Sequence, residues 1–349
     1  MKILLGLLVL VPVALYSHYA QGPPLVTFAA TTLGIVPLAG LLGRATEELA
    51  ARTSSQVGGL INGTLGNAAE LIITFFAIRA GLLGLVKASI TGSILGNLLL
   101  VMGASLLVGG LRHGVQKFDR SQAGLNSTML ILAVIALAIP SLFGHRIEDF
   151  SHDAVEYLSL GVAAVMMLVY VLSLVYSFAT SPSIPYEKEH GRPAWSLLRT
   201  VGVLILCTAS VAWLSEVLVG LIEPVLERLG WTEFFFGIVI IPIVGNVAEH
   251  LVAVQVAAQD QMDLSLGVSV GSSLQIALFV APVLVFLSLA MGNPLTLVFD
   301  RFELTALIAA SLIAGLVGLD GESNWMEGIQ LLVVYVILAM AFFFLPVGG

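Results

Sequence analysis

The chain has 349 residues, 58% of them hydrophobic and 10% charged, with a formal net charge of −8 and a mean hydropathy of +1.03. Soluble domains carry about 25% charged residues and a membrane-spanning helix takes roughly 20 apolar ones, so the chain reads as an all-α polytopic membrane protein with about eleven helices and no soluble domain. The acidic balance and the single scattering of the 14 Lys and Arg residues exclude a nucleic-acid partner. Cys207, the one cysteine, lies in an apolar run and excludes an intrachain disulfide or a thiolate metal cluster.

In chain order, apolar runs predict spans near residues 2–20, 24–43, 57–79, 86–111, 123–142, 154–179, 197–222, 234–258, 265–290, 301–318 and 326–345. The first run also has the outline of a signal peptide, with Lys2 ahead of an apolar core, but His18 stands where a small residue is needed before cleavage near Tyr19-Ala20-Gln21. Residues Thr180 to Pro193 are rich in proline and charge and read as a connecting loop. The expected organisation is an N-terminal helix (1–22), a first five-helix repeat (23–179), a cytoplasmic linker (180–195) and a second five-helix repeat (196–349).

The repeats are written in the residues. Gly66-Asn67-Ala68-Ala69-Glu70 recurs as Gly245-Asn246-Val247-Ala248-Glu249 at an offset of 179, and the same offset carries Gly92-Ser93 onto Gly271-Ser272. Phe118-Asp119-Arg120 meets Phe299-Asp300-Arg301 at an offset of 181. A unit with an odd number of spans begins and ends on opposite faces, so the second repeat is inverted relative to the first, an architecture of secondary transporters whose site lies at the repeat interface near the midplane. Nine of the Lys and Arg fall on the face of the N-terminus and linker and five on the other, which puts the N-terminus in the cytoplasm and the C-terminus outside.

Glu70 and Glu249 fall near the centres of their spans, where a carboxylate costs roughly 2.5–3.5 kcal/mol on insertion scales and marks an ion or proton pathway. Asn67 and Asn246, three residues earlier, share a helix face with each Glu and offer amide oxygens. Gly66 and Gly245 allow close backbone approach or local unwinding that frees carbonyl oxygens, and Pro242 weakens the second helix just upstream. Hard oxygen donors without thiolates suit calcium. Once a cation leaves, two neighbouring carboxylates in a low dielectric cannot both stay ionised, so protons and calcium compete for one site.

Other polar residues are candidates for secondary roles. Ser93, Ser272 and Gln275, with Thr91, Asn97 and Ser273, complete a coordination shell or pack between helices; His250 relays protons or is structural. Glu47, Glu48 and Glu216 sit at the ends of the spans before each motif helix and collect cations or are simply solvated. Arg79 and Lys87 are expected to snorkel to the interface, and the two Phe-Asp-Arg sets to anchor loops.

The paired Gly-Asn-x-Ala-Glu motifs, Thr46-Glu47-Glu48-Leu49, and the stretch Gly271 to Pro282 (Gly-Ser-Ser-Leu-Gln-Ile-Ala-Leu-Phe-Val-Ala-Pro) resemble the calcium/proton exchangers of the cation exchanger (CAX) family. The resemblance covers nearly the whole chain. It implies one extra N-terminal helix plus two inverted five-helix repeats, a fold shared with sodium/calcium exchangers, and it implies that Glu70 and Glu249 bind calcium or protons, with Asn67, Asn246 and polar residues of the following helices around them. Ca2+ and H+ are then cargo, no cofactor is expected, and the oligomeric state is open. A first span beginning at the N-terminus fits a prokaryotic cytoplasmic-membrane protein, whereas eukaryotic members carry a long cytosolic tail. A linker whose acids are Glu187 and Glu189 departs from a regulatory acidic helix. Sodium/calcium exchange on the same scaffold is the alternative, although such exchangers have Pro-Glu where this chain has Ala-Glu. An intramembrane metallohydrolase built on Glu249-His250 lacks a His-Glu-x-x-His pattern, and inverted repeats disfavour a passive channel.

Overall fold

The computed structural model describes residues 5–148, 152–180 and 193–345; most of the expected linker, with Glu187 and Glu189, and Lys2 at the start of the first span lie outside them. The described chain is helical: α1 (Leu7–Tyr19), α2 (Pro24–Ala50), α3 (Ser55–Leu65), α4 (Ala68–Arg79), α5 (Leu83–His113), α6 (Arg120–Glu148), α7 (His152–Thr180), α8 (Leu197–Leu229), α9 (Glu233–Gly245), α10 (Val247–Ala257), α11 (Met262–Ala290), α12 (Arg301–Val317) and α13 (Trp325–Phe344). Among the described residues eight stretches are long and apolar enough to cross a membrane, or nine when α9 and α10 count as one bent span. Two further expected spans, α1 and the 17-residue α12, are helical but shorter. The protein is an integral membrane protein of helical architecture.

Local chemistry explains the element ends. Asp119 and Asp300, both read from the sequence as loop anchors, are the residues that start α6 and α12: Asp119 accepts the Ser121 and Gln122 N–H groups and Asp300 that of Phe302. Asp300 with Glu303, and Asn324 with Glu327, close reciprocal capping boxes. At the far end of α8 Gly230 takes φ +67°, a conformation that favours glycine, and the Trp231 N–H reaches back to Leu226 O at 3.0 Å.

Among the described residues three helices contain a π turn: α5 at Gly96–Val101, α9 at Phe236–Ile240 and α11 at Ile276–Val280. Pro242 and Pro282 follow the second and third by two residues. A proline has no N–H to give the preceding turn, so the expected weakening upstream of Pro242 takes the form of a wider turn. The π turns of α5 and α11 fall at repeat-equivalent positions under the 179-residue offset.

The chain forms two compact units. The first contains α1–α4, α8, the end of α7 and Ile240–Ala248; its main packing is α2 along α8, with α4 also on α8. The hydroxyls of Thr31, Thr32 and Thr46 in α2 bond to carbonyls one turn back, which satisfies them inside an apolar helix. The second unit contains α5, α6, most of α7, Phe234–Val239 and the chain from Glu249 onward; α13 packs on α5, and α12 and α11 on α6. Between α11 and α12 an extended strap, residues 293–300, is held by side chains of surrounding helices. Ser288, Ser159 and Ser141 accept the N–H groups of Leu295, Leu297 and Phe299, and Lys87 Nζ donates to Val298 O at 2.8 Å. The snorkelling expected of Lys87 is replaced by this contact: a half-buried ammonium finds its partner in the strap. A two-residue ladder joins Gln116–Lys117 to Glu322–Ser323.

Candidate functional site

The first motif breaks its helix at Asn67. Of the two residues between α3 and α4, Gly66 keeps helical angles (φ −58°, ψ −41°), whereas Asn67, at φ −89° and ψ 12°, departs from them. The second motif breaks at the equivalent Asn246 (φ −109°, ψ 15°), and there the helix axis turns by 64°. The unwinding expected at the glycines therefore falls one residue later, at the asparagines, and the shared-face argument for Asn and Glu gives way to a broken helix. An asparagine favours such sites because its side chain bonds to nearby backbone in place of the helical ladder; Asn67 Nδ2 donates to Gly63 O at 3.4 Å.

The break has an electrostatic consequence. Glu70 becomes the third residue of α4 and Glu249 the third of α10, so each carboxylate sits at the positive end of a helix dipole, an arrangement that stabilises the charge by about 0.3–1 kcal/mol and more when buried. The preceding segments, α3 and α9, end in carbonyl groups, the negative ends that suit a cation.

In the first unit Glu70 is fully buried, and Asn246, 1% exposed, donates Nδ2 to Glu70 Oε2 at 3.2 Å. Thus the asparagine of the second motif holds the glutamate of the first, across 176 positions of sequence. Gly245 lies beside them: a Cβ on it would stand 3.6 Å from that of Glu70. Thr74 bonds to Glu70 O at 2.7 Å, fixing the turn after the glutamate. Glu48 is buried, and its Oε2 accepts the Trp195 N–H at 2.9 Å, while Arg52 donates to Glu48 O and Trp195 O. Glu47 is exposed, and Glu216 forms an exposed ion pair with Arg79 at 3.5 Å; α8 runs to Leu229, so Glu216 is not at a helix end.

In the second unit Glu249, His250 and Gln275 are half-buried, and Ser93, Asn97, Ser272 and Ser273 are buried. Ser93 and Ser272 precede the π turns of α5 and α11, the kind of helix irregularity frequent at functional sites. Ser273 bonds to Ser269 O at 3.0 Å. Thr91, expected near the motif glutamates, gives its hydroxyl instead to Glu303 Oε1 at 3.1 Å. Gly92 permits an unusually close approach: a Cβ there would meet Ile238 O, in the π turn of α9, at 2.1 Å. Among the described residues no three His, Cys, Asp or Glu side chains cluster in a way that could hold a metal ion.

The sodium/calcium exchanger protein family model matches residues 23–179 and again 199–344. The chain is similar to the Ca2+/H+ antiporter of Aphanothece halophytica (43% identity, covering 99% of this chain and 97% of that one) and to the Ca2+/H+ antiporter ChaA of Bacillus subtilis (42%, 96% and 97%). Among solved structures, the Ca2+/H+ antiporter protein YfkE matches with a TM-score of 0.88 at 41% identity, covering 99% of this chain and all of that one. The H+/Ca2+ exchanger CAX, at 17% identity, shares the fold with a TM-score of 0.75 over 98% of this chain and 91% of that one. These relatives are named as transporters. The chain belongs to the sodium/calcium exchanger protein family.

Proposed function

We propose that the protein is a secondary antiporter that exchanges Ca2+ for H+ across the membrane by alternating access, with Glu70 and Glu249 as the carboxylates that bind either calcium or protons. The observation that carries this reading is the buried bond from Asn246 Nδ2 to Glu70 Oε2, by which the two motifs meet on one carboxylate. The identity of 42–43% with named Ca2+/H+ antiporters over almost the whole chain supports the cargo.

Calcium takes six to eight oxygen ligands in irregular geometry. Glu70 and Glu249 supply the charge; Asn67, Asn246, Ser93, Ser272, Gln275 and carbonyls of the broken helices around Gly66 and Gly245 are the neutral donors. Two carboxylates balance one divalent ion. When it departs, each takes up a proton, because uncompensated neighbouring charges in a dry site are unfavourable. The loaded forms, one calcium or two protons, are then of equal charge, and the site is able to turn between faces in either.

The inverted five-helix repeats, eleven spans, boundaries at 22, 179 and 195, and a cytoplasmic N-terminus with an external C-terminus in a prokaryotic cytoplasmic membrane belong to the same reading. It is supported by the family model's two matched stretches, by the paired breaks at Asn67 and Asn246, and by the bias of Lys and Arg. The test is calcium uptake into everted vesicles under separate proton and sodium gradients. Uptake driven by an acidic interior, abolished by Glu70→Gln or Glu249→Gln, is expected; uptake that needs sodium and ignores a protonophore would overturn the proton assignment.

A further inference from the structure

Among the described residues three carboxylates are buried: Glu48, Glu70 and Glu303. Glu48 is accounted for by its bond to the Trp195 N–H, and Glu70 by the proposed exchange site. Glu303 is 2% exposed. Its Oε2 accepts the Asp300 N–H at 2.7 Å, the local capping contact, and its Oε1 accepts the hydroxyl of Thr91 on α5 at 3.1 Å. Capping alone does not call for this burial, since Glu327 makes the same capping box at the start of α13 while half-exposed.

The charged groups acting on Glu303 are Lys87 from α5 and Asp300 from the strap; among the described residues none from α6 does so. Lys87 lies one turn before Thr91 on the same helix face, yet its ammonium is bonded to Val298 O, and no ion pair within 4.0 Å joins it to Glu303. A buried carboxylate held permanently ionised is paired with a cation or given several N–H donors; Glu303 has one N–H, from Asp300, and no paired cation. This one is given a hydroxyl, the partner that can reverse: Thr91 donates to a carboxylate, and it accepts from a protonated carboxyl while turning its own hydrogen elsewhere. The Lys87 ammonium is held on the strap by Val298 O and leaves both protonation states of Glu303 open.

From this geometry we infer that Glu303 is a proton-transfer residue of the exchanger, outside the cation site, alternately ionised and protonated as protons pass through the second unit, with Thr91 as its switchable partner and Lys87 as its counter-charge. One proton is gained at a carboxylate oxygen of Glu303 and the same proton is later released; no other bond changes. The inference rests on the proton-coupled reading of the site.

The test uses the full chain in proteoliposomes and two measurements, calcium uptake driven by a pH gradient and calcium/calcium exchange, which moves no net protons. Gradient-driven uptake by the wild type decides the coupled reading first and separately. Given that, Glu303→Gln is expected to lower gradient-driven uptake at least tenfold and to leave calcium/calcium exchange within about twofold, whereas Glu70→Gln loses both. Thr91→Val is expected to shift the pH profile of uptake, and Thr91→Ser to restore it. A Glu303→Gln protein with the wild-type pH profile overturns the inference. So does equal loss of both activities together with an unshifted profile in Thr91→Val, which would leave Glu303 as a capping residue alone.

Discussion

Gly92→Ala tests the packing of the second unit most directly. The added Cβ would stand 2.1 Å from Ile238 O and 2.6 Å from Ile238 C and Cα, all backbone atoms. No side-chain rotation relieves that overlap; α5 or the π turn of α9 must withdraw by about 1 Å, and overpacking of this kind costs about 1–3 kcal/mol. Replacing a helical glycine by alanine otherwise gains about 0.5–1 kcal/mol, so the net effect is destabilising. Gly271 is the repeat-equivalent control, because a Cβ there has no atom within 4 Å and only the favourable term remains. Thermal unfolding of the two variants in one detergent should therefore give midpoints on opposite sides of the wild type, separated by several degrees. Transport should fall with Gly92→Ala, since Ser93 is carried on the displaced backbone. Equal midpoints for the two variants, or a more stable Gly92→Ala, would refute the close approach.

Other substitutions probe separate contacts. Asn246→Leu keeps the branched four-atom side-chain skeleton, at a larger volume, and removes the donor to Glu70 Oε2; uptake of calcium is expected to fall tenfold or more in vesicles, and unchanged uptake would remove the bond from the site. Arg52→Ala deletes the donor to Glu48 O and Trp195 O; a loss of about 1–3 kcal/mol should lower the thermal midpoint while the calcium dependence of uptake stays as in the wild type. The Lys117–Glu322 ion pair, at 3.3 Å with side chains 80% and 50% exposed, contributes under about 1 kcal/mol, so Glu322→Ala should leave the midpoint almost unmoved at high and low salt.

The apolar runs were legible because the bilayer demands them, and each is helical over most of its described length, although two are broken at Asn67 and Asn246 and eight or nine, among the described residues, are long and apolar enough to cross. Their ends were less so. The sequence Asp300-Arg301-Phe302-Glu303 carries the spacing of a capping box, which identifies the start of α12 more sharply than hydropathy does. The repeat motif singled out Glu70 and Asn246 separately, each beside the other member of its own motif; the bond between the two, across 176 positions, is a contact that spacing did not foretell. What sequence could not supply is contact between distant segments. Trp195 meets Glu48 across 147 positions, Lys87 meets Val298 across 211 and Thr91 meets Glu303 across 212. Thr91 was expected near the motif glutamates because it stands two residues from Ser93. Helical geometry puts residues two apart on different faces, and its own face looks toward α12.

The π turns of α5 and α11 carry a historical consequence. A π turn arises when one residue is inserted into a regular helix and the neighbours absorb it without breaking the rod. Gly96–Val101 and Ile276–Val280 hold that irregularity at matching places in both halves, and a single insertion in an ancestral half, copied when that half was duplicated, is a shorter account than two separate ones. The turn at Phe236–Ile240 has no counterpart in α3, which is regular. The match at an offset of 179 does not extend to this turn, so a substitution in one motif helix does not foretell the effect of its equivalent in the other.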